Sequence, residues 1–149
     1  MRRTPLEHSE RLSALAGADV WLKREDLQPV RSYKLRGAHL FLDSLDADQR
    51  EAGVVAASAG NHAQGVAQAC RTLGVSGRIY VPSTTPRQKR ERITSIGGDL
   101  VELVLIGDTF DDAAEAEGTF EILMGNEVAP RKQFIVEGAY RLDAEQIDA

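Results

Sequence analysis

Three short apolar runs constrain how this chain can fold: Gly53-Val-Val-Ala-Ala57, Arg78-Ile-Tyr-Val-Pro82 and Leu100-Val-Glu-Leu-Val-Leu105. The segments between them have helical wording rather than hairpin wording. After the first run, Asn61 is placed to cap a helix carrying Val66, Ala67, Cys70 and Leu73 on one side, and Gly74 ends it. After the second, Pro82-Ser-Thr-Thr-Pro86 makes a turn, Pro86 starts a helix over about 86–96, and Gly97-Gly98 stops it. A further helix is expected from about Thr109. Upstream, Val20-Trp-Leu-Lys-Arg24 reads as a short strand closed by a polar stretch, and residues 34–45 put Leu35, Ala38, Leu42 and Leu45 at helical spacing. Strands separated by helices of this length predict an α/β fold: a three-layer, Rossmann-like unit with a parallel sheet and right-handed crossovers. Ligands in such sheets sit at the carboxyl edge of the strands, so the loop at 58–61 is expected at the functional end.

The chain has 149 residues, one domain's worth. Its net charge of −5 offers no global positive field for nucleic acid. No apolar run approaches the roughly 20 residues of a membrane helix. The N-terminus, Met1-Arg-Arg-Thr-Pro-Leu-Glu-His8, lacks the apolar stretch of a secretory signal, so a cytoplasmic location is expected. Cys70 stands alone and makes no ligand cluster with His8, His39 or His62, so neither an internal disulfide nor a metal site is expected.

Two motifs carry chemistry. In Ser32-Tyr-Lys-Leu-Arg-Gly37, Lys34 falls at a helix start. The helix dipole disfavours a cation there, which suits a lysine that must form an imine; taken alone, such a lysine is an ordinary solvated group. In Ser58-Ala-Gly-Asn-His-Ala-Gln-Gly65, a loop of small residues runs from an apolar strand into a helix. Backbone N–H groups at such a start attract a carboxylate or a phosphate. His62 is a general base by residue type, or a histidine held by a local hydrogen bond.

The stretch 23–38, Lys-Arg-Glu-Asp-Leu-Gln-Pro-Val-Arg-Ser-Tyr-Lys-Leu-Arg-Gly-Ala, together with Ser-Ala-Gly-Asn-His at 58–62, closely resembles the fold-type II pyridoxal phosphate enzymes, threonine dehydratases (threonine ammonia-lyases) above all. The resemblance covers roughly residues 1–115 and implies pyridoxal 5′-phosphate as cofactor. By the same resemblance, Lys34 is the catalytic lysine that carries the cofactor, and Asn61 bonds its 3′-oxygen. Ser58, Ala59, Gly60 and His62 would surround the carboxylate of a small amino-acid substrate. Serine racemases of the family have a second serine where Ala59 stands here. An alanine cannot serve protons, so β-elimination of water from threonine or serine, to a 2-oxo acid and ammonia, fits better than racemisation. A homo-oligomer is left open.

Other stretches are plainer. The basic cluster at 87–92 reads as a solvated helix face with Ile93 and Ile96 inward, and the acidic stretch from Asp108 to Glu117 as an exposed helix. Residues 119–149, with Leu-Met-Gly, Glu-Val, Pro-Arg-Lys and Phe-Ile, resemble the C-terminal tail of the ATPase subunit of bacterial type II topoisomerases, the gyrase B and topoisomerase IV group. The alternative is a divergent amphipathic helix. The chain is thus expected to hold a truncated small domain over 1–118 and, over 119–149, a short helical tail broken near Pro130. The glycine-rich phosphate loop of the family is not recognised in it. A non-catalytic α/β remnant or fusion product with a partner-binding role, and a topoisomerase-associated fragment, are the competing functional readings.

Overall fold

The computed structural model describes residues 1–109, 111–113 and 134–135. In chain order these form β1 (Leu6–His8), α1 (Glu10–Ala16), β2 (Trp21–Lys23), α2 (Lys34–Ser44), α3 (Ala47–Ala52), β3 (Val54–Ala57), α4 (Asn61–Leu73), β4 (Gly77–Val81), α5 (Arg87–Gly97), β5 (Val101–Leu105) and β6 (Phe134–Ile135). Residues 111–113 are helical as well.

The three apolar runs become β3, β4 and β5, parallel neighbours in a sheet of order β5-β4-β3-β6. Their register puts Ala56 beside Ile79, and Ile79 beside Leu103. Because side chains alternate along a strand, Val54, Ala56, Ile79, Val81 and Val101 enter one core with Ala38 and Leu42 of α2, Val66, Ala67 and Cys70 of α4, and Ile93 of α5. The intervening Val55 and Tyr80 pack on the opposite face with Ala113. Burial on both faces is why β3 and β4 read as nearly continuous apolar runs, whereas β5 at the sheet edge is only partly buried. The three-layer α/β expectation holds.

α4 lies at the centre, packed against both α2 and α5. It is buried from His62 through Cys70 apart from Gln68, which is half-buried. Gly74 ends it in the left-handed conformation (φ 71°), its N–H donating to the Cys70 carbonyl, as the sequence led one to expect. Its start differs from expectation. Asn61 is the first helical residue and not the cap; Gly60 holds the cap position and gives no side-chain bond. Ser58 takes over the capping role, its Oγ accepting from the N–H groups of Gly60 (3.3 Å) and Ala63 (3.4 Å).

Two further differences concern element boundaries. The helix expected over 34–45 ends at Ser44, and α3 follows at once. A capping box opens α3: Asp46 Oδ1 accepts from Gln49 N–H, and Gln49 Oε1 from Asp46 N–H. Of the segment 119–149, Phe134 and Ile135 are described, and they are strand, parallel to β3 opposite Val54 and Val55, where a helical tail was expected. The helices expected around them lie outside the described residues. Among the described residues no helix is long and apolar enough to cross a membrane.

Candidate active site

Lys34 is the first residue of α2, and the chain leading to it is unusual. Val30 and Ser32 are buried, while Arg31 between them is a non-glycine residue with φ of 55°. A left-handed L-residue costs about 1–2 kcal/mol. Here the two buried neighbours and the Arg31 N–H bond to the Gln28 carbonyl (2.8 Å) hold it. Ser32 Oγ then accepts from the Lys34 N–H at 3.2 Å, satisfying one of the open donors of the helix start. Lys34 itself is half-buried, its Nζ 5.4 Å from the centroid of the Tyr33 ring.

The first turn of α2 is clamped from below. Arg36 forks onto Glu25, Nε to Oε2 at 2.9 Å and Nη2 to Oε1 at 2.8 Å. Thr4 also donates to Glu25, and Gln28 exchanges bonds with the Arg2 backbone. The Arg36 hydrogen bonds hold the Glu25 carboxyl down at about 2 against the pull of desolvation. This network ties the N-terminal residues, and through them the antiparallel β1–β2 pair, to the helix that presents Lys34.

The second motif forms the link from β3 to α4 at the carboxyl edge of the sheet. Ser58, Ala59 and Gly60 are half-buried, Asn61 is exposed, and His62 is buried at 7 % exposure. That placement suits a locally held histidine better than an open base. The motif meets Lys34 through Gly65, where a β-carbon would stand 3.1 Å from the Lys34 carbonyl carbon. Lys34 and the 58–62 loop therefore lie at the same end of the sheet. Over the loop there is room, since a β-carbon on Gly60 would meet nothing within 4 Å. An amine, a carboxamide, a hydroxyl and a helix start with open space above it are the donor set that a carbonyl cofactor and a carboxylate substrate require. Cys70 is no rival nucleophile: burial pushes its thiol up to about 12.

A sequence profile of pyridoxal-phosphate dependent enzymes matches residues 1–141. The chain belongs to the pyridoxal-phosphate dependent enzyme family. It is 61% identical over 113 residues to the biosynthetic L-threonine dehydratase IlvA of Mycobacterium bovis, a match covering 76% of this chain and 26% of the relative. Among solved structures it is similar to the processed form of threonine deaminase isoform 2 from Solanum lycopersicum (38% identity, TM-score 0.80, 92% of this chain and 35% of that one). It is also similar to maize serine racemase (26% identity, TM-score 0.79, 93% and 39%). The chain thus spans about a quarter of the length of the curated relatives it matches.

Within this family member, several site-shaping residues were not recognised from sequence. Glu25 and Arg36 both lie in the stretch 23–38, yet nothing in their spacing announces an ion pair. The capping hydroxyl of Ser58 was legible as a residue type, but Asn61 competed for the role. The strain at Arg31 left no sequence signal.

Proposed function

We propose that this chain carries the attachment lysine and the substrate-carboxylate loop of a threonine (or serine) dehydratase. The observation that carries the reading is the packing of the Lys34 backbone on Gly65, which sets the amine-bearing residue beside the 58–62 loop. When bound, pyridoxal phosphate supplies an electron sink that makes the α-proton of an amino acid acidic. Lys34 Nζ would hold the cofactor and, as a free amine, would be the base that receives the α-proton. Asn61 would donate to the 3′-oxygen of the cofactor, and the backbone at Ser58, Ala59, Gly60 and His62 would hold the substrate carboxylate against the start of α4. Ala59 offers no proton on the opposite side, so loss of the β-hydroxyl as water is favoured over return of the proton. The products are a 2-oxo acid and ammonia. A location in the cytoplasm belongs to the same proposal.

Residues 119–149 enter the proposal separately. The similarity to the curated relative extends over 113 residues, a length compatible with a boundary near 118. Against a topoisomerase-like addition stand the family match to residue 141 and the pairing of Phe134 and Ile135 with β3. Amide exchange over 119–149 separates the two: protection like that of β3 favours one continuous unit, and fast exchange favours an added tail.

The test of function is twofold. Purified chain mixed with pyridoxal 5′-phosphate is expected to gain a visible absorbance that Lys34→Ala abolishes, and to form 2-oxo acid from threonine or serine. Absorbance in the wild type that survives in Lys34→Ala defeats the assignment of Lys34. A wild type with neither absorbance nor turnover leaves the non-catalytic α/β module as the better reading.

A further inference from the structure

Gly65 is the point where the two halves of the site touch. A β-carbon there would stand 3.1 Å from the Lys34 carbonyl carbon, 3.2 Å from the Lys34 carbonyl oxygen and 3.2 Å from the Leu35 nitrogen. All three atoms are backbone, so no rotamer change relieves the contact. Neither side has much freedom to retreat. On α2, Leu35, Ala38 and Leu42 are buried, Arg36 is forked onto Glu25, and the Lys34 N–H is held by Ser32. On α4, the neighbouring Gln64 is buried, and its Oε1 accepts from Arg92 Nε of α5 at 2.7 Å. Ser58 fixes the turn before it by accepting from the Ala63 N–H.

We propose that Gly65 is a positioning residue for Lys34: the missing side chain sets how closely the amine-bearing turn of α2 approaches the loop at the start of α4. The inference rests on the reading of Lys34 as the attachment lysine. Gly60 in the same motif is different, because space lies open around it. An alanine at 65 displaces the first turn of α2 by a few tenths of an ångström, and reacting groups lose rate steeply with such misplacement.

The test is a competition between lysines in the purified chain. Pyridoxal 5′-phosphate is added below saturation, the mixture is reduced with borohydride, and peptide mapping reads label at Lys34 against exposed Lys89 of α5. Wild-type chain is expected to label Lys34 in preference. Gly65→Ala is expected to lower the Lys34-to-Lys89 ratio about three- to tenfold. Gly77→Ala is the structural control: its β-carbon would meet Cys70 Sγ at 2.7 Å, at the other end of α4, so it should lower the melting temperature and leave the ratio unchanged. Ala38→Cys, a smaller wedge one turn further along α2, is run in the same assay and should lower the ratio even if Gly65→Ala fails to fold. A wild-type ratio in every folded Gly65 and Ala38 variant overturns the inference alone, as does an equal fall in Gly77→Ala. A wild type with no preference for Lys34 overturns the functional reading and the inference with it.

Discussion

Replacing Glu25 by glutamine removes the anion from the clamp beneath Lys34 while keeping its shape. Three groups lose a charged partner at once: the guanidinium of Arg36, the hydroxyl of Thr4 and the amide of Gln28. A hydrogen bond to a charged group is worth about 1.5–3 kcal/mol. The Glu25 side chain is 16% exposed but that of Arg36 is 37% exposed, so solvent screening trims the expectation for Glu25→Gln at neutral pH to about 1–2 kcal/mol. For a domain of this size that is a fall of about 3–10 °C in melting temperature. The pH dependence follows from the depressed carboxyl. Its stabilisation is complete above the ordinary carboxylate range near 4.5 and disappears as pH falls through about 2. Thermal melts of both proteins between pH 7 and pH 2 therefore show a gap that is widest near neutrality and closes in acid. A gap that stays constant across that range, or no gap at pH 7, refutes the clamp as described.

Three more outcomes are expected. Ser58→Ala removes the cap of α4 and lowers stability by about 0.5–2 kcal/mol in denaturant melts, whereas Asn61→Ala, at an exposed position that does not cap, costs less; the reverse order contradicts the observed cap. Leu42→Ala, fully buried between α2 and the sheet core, costs about 2–5 kcal/mol by the same measurement, and a value below about 1 would show that α2 does not pack as described. Cys70 should resist thiol reagents at pH 8 in native protein and react on unfolding; prompt labelling of folded chain contradicts its buried, protonated state.

The parts of the fold legible in the sequence are those where local pattern and tertiary burial agree. Val54 to Ala57 is apolar throughout because the strand packs on both faces, against α2, α4 and α5 on one and beside Tyr80 and Ala113 on the other, and Gly74 ends α4 because the chain turns there through a left-handed residue. Lys34 stood out by its neighbours and does open a helix. Other features need contacts that spacing does not encode. β1 is exposed along its length and makes sense as strand only through its pairing with β2. α3 hid behind the helical pattern of 34–45 although Asp46 and Gln49 spell a capping box. Asn61 and Ser58 are both good caps, and only the backbone at Gly60 decides between them. The role of Gly65 depends on a helix that lies far away in sequence.

The central claim is that Lys34 and the 58–62 loop form one site that takes pyridoxal phosphate. A crystal structure of the chain soaked with pyridoxal 5′-phosphate tests it directly. Density continuous with Lys34 Nζ is expected, with the ring within hydrogen-bonding reach of Asn61 and the open space over Gly60 facing it. Density joined to Lys23 or Lys89 instead, or cofactor bound at the opposite end of the sheet from Ser58, would contradict it.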